Sequence, residues 1–394
     1  MASLATERPP APLALQVAHF VFTRWSMNIG VRMVYPFLGL FAAGMGVDLA
    51  VISLALSLRA FTGILSPLVT QVADRRSRRS GILIGLGLYT AGVIVMALWP
   101  LFPVFVVTQC VASLGNFILV SSIQASIGDQ VVYSRRGRVI AIIELGWSLS
   151  FILGMPLVAS LMDNYGWTAG FALLGVLGTL VICGTWLIVP GRQHEAPRAR
   201  SAYSFRQVLS FPVVRAGLIM TFSIVAANEV VNLVFGVWMQ ESYGLALGAL
   251  GLASGIIGLS ELSGESITAW VVDRVGKQKT IRAGILLNAV IALALPWLGR
   301  LGLAGALVGL FLFYFSFELT IVSSLPLMTE LLPSARATIL GINVATIAFG
   351  RGLGDLLGPY LYQWGMLVVG LAALAFDLAA VLALRSVHIA SDAA

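Results

Sequence analysis

Residues 167–189, WTAGFALLGVLGTLVICGTWLIV, contain no charged side chain. At 1.5 Å per residue, one α-helix of this length crosses a hydrocarbon core about 30 Å thick. Such segments recur along the chain. Polar, Gly and Pro breaks give twelve apolar spans at 14–41, 49–71, 80–99, 102–126, 138–161, 167–189, 213–239, 247–271, 280–299, 302–327, 337–362 and 365–385. Only 10% of residues are charged, against roughly a quarter in soluble proteins. The pattern predicts an all-α membrane protein with 12 transmembrane helices.

The start, MASLATERPPAP, lacks the charged n-region and cleavage site of a signal peptide and reads as a short cytoplasmic tail. Cys110 and Cys183 both fall in apolar runs. They offer no disulfide framework, and nothing has metal-ligand spacing.

Basic residues orient the chain. Of 24 Lys and Arg, 19 fall in alternate loops or at the ends, among them the clusters at 75–79 and 135–138. Arg300 falls in an opposite loop, and Arg24, Arg32, Arg59 and Arg351 lie within spans. The positive-inside rule then places both termini in the cytoplasm of a cell whose inner membrane holds the chain. The net charge of +7 reports orientation, and no nucleic-acid partner is needed to explain it.

Four landmarks repeat at an offset near 200. Asp74-Arg75 in VADRRSRR (72–79) matches Asp273-Arg274 in VVDRVGKQK (271–279). GDQVVYSRRGR (128–138) matches TELLPSARAT (329–338). Asn28, Arg32 and Pro36 match Asn228, Asn232 and Gly236, and Gly154-Met155-Pro156 matches Gly358-Pro359. Two pseudo-symmetric six-helix bundles are expected, 1–190 and 212–394, joined by a cytoplasmic linker at 191–211. Internal duplication of this kind is typical of secondary transporters.

On these residues the chain resembles the major facilitator superfamily. TQVADRRSRR (70–79) carries Ala73, Asp74, Arg75, Arg78 and Arg79 of the family's G-x-L-a-D-r-x-G-r-k signature, with Thr70, Val72 and Ser77 departing from it. The second copy keeps Asp273, Arg274, Gly276 and Lys277. The resemblance implies the twelve-helix fold, a conformational latch at Asp74, Arg75, Asp273 and Arg274, and a central cavity walled by the first and fourth helices of each half. The helix-four Arg of proton-driven drug exporters is missing, with Gln109 and Asn116 offered instead. The Gly-Pro motif of helix five is only echoed by Gly146, Gly154 and Pro156.

Candidate cavity residues follow helical spacing. Arg24, Asn28, Arg32 and Tyr35 share one face of the first helix, and Asn228, Asn232, Gly236 and Gln240 share one face of the seventh. Polar groups are costly against lipid, so both stripes should face inward. Glu229 and Glu318 lie on expected cavity helices. A carboxyl group in a low-dielectric interior tends to hold its proton, so these two are the proton-coupling candidates. Glu261 and Glu265 share a face and suit either a polar gate or pairing with other helices, and Arg351 and Asp355 have the spacing of an intrahelical ion pair.

An enzyme is not expected. His19, His194 and His388 are dispersed, and no zinc-protease, nucleophile-elbow or nucleotide-loop motif occurs. No cofactor is expected. The function expected is a monomeric secondary transporter in the lipid bilayer, moving a small organic solute by alternating access. Proton-coupled export of drug-like or amphipathic compounds comes first, and uptake or exchange of an anionic metabolite comes second. A non-transporting receptor or scaffold is the alternative of another class, but it has no use for Arg32, Glu229 and Glu318 within its spans.

Overall fold

The computed structural model describes residues 11–66, 68, 69, 77–191 and 204–387. Among these, every regular element is helical. The chain runs α1 (Leu13–Arg32), α2 (Leu38–Met45), α3 (Leu49–Phe61), α4 (Arg78–Leu98), α5 (Phe102–Gln130), α6 (Tyr133–Leu149), α7 (Met155–Tyr165) and α8 (Ala169–Ile188). It continues with α9 (Phe205–Val208), α10 (Pro212–Asn232), α11 (Phe235–Tyr243), α12 (Leu247–Val275), α13 (Lys277–Arg300), α14 (Leu303–Glu330), α15 (Arg336–Tyr362) and α16 (Met366–Leu384). A π-helical turn at Ser150–Gly154 joins α6 to α7.

Ten helices, counting α6–α7 and α10–α11 each as one, are long and apolar enough to cross a membrane. The pair Leu38–Met45 and Leu49–Leu65, bent by 110°, brings the number to at most eleven. Twelve spans by length and composition are therefore not reached among the described residues. The shortfall lies in the first two spans, of which the bent pair supplies at most one. α1 spends Gln16, His19, Thr23, Arg24, Ser26, Asn28 and Arg32 on the bundle interior, where all seven are buried, and so loses the apolar character of a lipid-facing helix.

The first and seventh spans are both interrupted, at 33–37 and at 233–234. Past each break a short helix ends on a left-handed glycine, Gly46 (φ 65°) and Gly244 (φ 61°). Glycine takes this conformation without the steric cost of a Cβ, so it closes a helix end cleanly. The two breaks pack on one another. A Cβ on Gly236 would lie 2.3 Å from the Pro36 carbonyl oxygen, so only glycine admits this approach.

Helix packing repeats along the chain. α1 packs on α6 and α8 as α10 packs on α15 and α16, and α4 packs on α5 and α8 as α13 packs on α14 and α16. Between the earlier and later helices, α3 lies on α15 and α7 on α12. α10 is the most enclosed candidate span, with 89% of its apolar window buried.

The repeated loop signals have a structural reason. A helix ends with carbonyls that lack intrahelical partners. Arg136 donates to the carbonyls of Gly128 and Val131 at the end of α5, and Arg336 donates to that of Thr329 at 3.0 Å at the end of α14. Ion pairs tie the same corners, Arg78–Asp129 at 2.9 Å and Lys277–Glu330. Most of the expected linker, 192–203, lies outside the described residues.

Candidate transport cavity

Two adjoining cavities lie at the centre, with Val31, Tyr35, Ile347 and Arg351 on the walls of both. The first, of about 290 Å³, lies largely among helices of the first half. Its charged wall residues are Arg59 and Arg351, and no acidic side chain lines it. The second, of about 160 Å³, is lined by Arg32, Glu229, Glu261, Glu318 and Arg351.

Three arginines of the early helices are each held differently. Arg32 pairs with Glu261 of α12 at 2.6 Å, and each side chain is 5% exposed. Arg32 also donates to the Trp147 carbonyl at 3.0 Å and lies over the rings of Trp147 and Phe151. Buried charge requires this combination of opposite charge, hydrogen bonds and aromatic faces. Arg59 donates to the Val31 carbonyl at 3.0 Å, Gln109 Oε1 at 3.3 Å and the Tyr35 hydroxyl at 2.7 Å. Arg24 pairs with Glu144 at 2.7 Å and reaches Asn116 at 3.5 Å.

In the later helices a chain of hydrogen bonds fixes one carboxylate. The Tyr314 hydroxyl donates to Asn232 Oδ1 at 2.8 Å, and Asn232 Nδ2 donates to Glu229 Oε1 at 3.0 Å. The other Glu229 oxygen stands 3.9 Å from Arg351 Nε. The expected Arg351–Asp355 pair is thus replaced by an approach to Glu229 on α10. Asp355 is fully buried, with its carboxyl group against that of Glu229. Glu318 is 7% exposed, lines the second cavity, and makes no ion pair or hydrogen bond among the described residues.

The structure separates the expected stripes. Arg32 and Tyr35 reach the central cavities, as do Gln109, Asn116, Asn228 and Asn232. Arg24 turns instead to a small side pocket with Glu144. Asn28 is buried without a hydrogen-bond partner among the described residues and lines neither central cavity. Gln240 lies beyond the break, in an open cleft near Gly39 and Asp48. The break explains it, because helical phase is lost at 233–234. Asp74 and Arg75 lie outside the described residues. Asp273 is exposed, and Arg274 stacks on Trp270 with 4.1 Å between guanidinium and ring centre.

Arg59 and Arg351 lie outside the two polar stripes, and both line the first cavity. For Arg59 and Arg351 the available signal was a charge in the middle of an apolar run.

The family model for the Major Facilitator Superfamily matches residues 20–354. The chain is 25% identical over 373 residues to the uncharacterized MFS-type transporter YwfA of Bacillus subtilis (strain 168), covering 92% of this chain and 88% of that one. It is also 25% identical over 294 residues to the uncharacterized MFS-type transporter YceJ of the same strain, covering 74% and 75%. A crystal structure of a POT family transporter in complex with a thioalcohol-conjugated peptide superimposes with a TM-score of 0.78 over 95% of both chains, at 14% identity. A helical membrane bundle with a polar central cavity, matched by that family model over most of its length, belongs to the Major Facilitator Superfamily, and the chain is a multi-pass secondary transporter rather than an enzyme.

Proposed function

We propose that this transporter is proton-coupled and carries small amphipathic organic solutes outward by alternating access, its two six-helix halves rocking around the central cavities. The observation that carries the reading is the set of incompletely paired carboxyl groups beside the cavity. Glu318 makes no ion pair or hydrogen bond among the described residues, and Glu229, which accepts from Asn232, faces Arg351 across 3.9 Å. A carboxylate taken from water without a full complement of partners is stable only when neutral or hydrated. Alternate exposure to the two aqueous sides therefore gives these groups a reason to bind and release protons. The mostly apolar first cavity suits an amphipathic solute. Export rests on the Gly146–Gly154–Pro156 segment. Uptake or exchange is the second reading, favoured by the arginines that face the cavity.

Proteoliposome flux with and without an imposed pH gradient tests the coupling. Gradient-driven flux should be lost in Glu229→Gln or Glu318→Gln. Flux indifferent to the gradient and unchanged in both variants overturns it, and the direction of net movement decides between export and uptake.

A further inference from the structure

We infer that the transported solute is a small organic anion with an apolar body, its anionic group held by Arg351 and its body seated in the first cavity. This rests on the reading of the central cavities as the transport site and adds the chemistry of what they hold. Three observations converge. First, Arg59 and Arg351 are the charged residues on the walls of the first cavity, and no acidic residue joins them there. Second, the two arginines differ in availability. Arg59 is 6% exposed and committed to Val31, Gln109 and Tyr35, so it supplies a fixed positive potential. Arg351 is 36% exposed in its side chain and makes no hydrogen bond among the described residues. Its contacts are Glu229 at 3.9 Å and the face of Trp147 at 5.7 Å.

A guanidinium carries five N–H donors and stays charged. Within a membrane protein an unsatisfied one is costly, and such groups mark substrate paths. Its planar fork matches a carboxylate, phosphate or sulfonate with two parallel hydrogen bonds. Third, the rest of the wall is apolar beside that fork, with Val93, Ala112, Phe117, Val344 and Ile347. The volume of about 290 Å³ lies at the lower end of ligand pockets, roughly 300–1,000 Å³. A cavity of this size suits a small solute. Glu229, Glu318, Asp355 and Arg59 all act electrostatically on this region from α10, α14, α15 and α3. The acids among them do not line the first cavity, and Glu229 meets Arg351 at Nε, 3.9 Å away.

The test is equilibrium binding to the full-length protein in lipid nanodiscs at pH 7, by titration calorimetry, with four probes. Benzoate carries both features, benzamide and benzylamine keep the ring but change the charge, and acetate keeps the charge but lacks the ring. Benzoate should bind at least 10-fold more tightly than each of the other three. Arg351→Gln should lower benzoate affinity at least 10-fold, and Val344→Phe, which narrows the first cavity, should lower it as well. Benzamide or benzylamine binding as tightly as benzoate overturns the inference, as does binding of none of the four. The wild-type series stands even if a variant does not fold. Proteoliposome flux of the same probes separates the two claims. Benzoate binding without flux defeats the transport reading and leaves the anion site intact, whereas flux of benzylamine alone does the reverse.

Discussion

Arg32 shows how much a single side chain in an apolar span can reveal. Its midspan position requires a compensating group, and the structure supplies Glu261 at 2.6 Å from a helix of the other half. Removing one partner leaves an uncompensated buried charge, which costs about 3–5 kcal/mol, whereas removing both is far milder. Arg32→Met and Glu261→Met should therefore each lower the melting midpoint in detergent, and the double variant should recover most of the loss. Simple additivity of the two losses rules out a direct pair. That Arg32 needed a partner was legible in the sequence. That the partner was Glu261 was not, because 229 residues separate them and they meet only because α6, which packs on α1, also packs on α12. Asn28 marks the opposite limit: it has the right helical spacing but lies away from both central cavities.

At the scale of elements, the interrupted first and seventh spans matter most. Discontinuous helices near the midplane of a transporter are where binding sites form; residues at the first break line both central cavities, and Asn232 beside the second break lines the second cavity. The breaks depend on Gly236, where a Cβ would collide with the backbone of Pro36. Overpacking of this kind costs typically about 1–3 kcal/mol. Gly236→Ala should therefore melt several degrees below Gly248→Ala, since Gly248 on α12 has open space around it. Equal melting temperatures count against close packing of the two breaks. The sequence showed Pro36 and Gly236 as equivalent positions; their direct contact follows from the way the two spans meet.

For the whole molecule, the repeated offset near 200 predicted a duplicated architecture, and helix packing in the later part of the chain repeats that of the earlier part. The arginines of VADRRSRR do more than add loop charge: Arg78 pairs with Asp129, and Arg79 stacks on Trp186 at 3.9 Å. The latch at Asp74, Arg75, Asp273 and Arg274 remains our proposal, and Asp273 and Arg274 form no ion pair with one another here. Transport rate should fall more in Asp74→Asn than in Arg79→Ala, measured in the same vesicles. Equal effects return the stretch to a topological role. By itself the sequence determined the membrane class, the duplication and the presence of costly charges inside spans, because hydropathy and loop charge are local properties that act along the chain. The tertiary structure decided which charges pair, which cavity is free of acids and which cavity arginine makes no hydrogen bond among the described residues. Those outcomes depend on distances of a few ångströms between helices remote in sequence, and helical phase is lost wherever a span is broken.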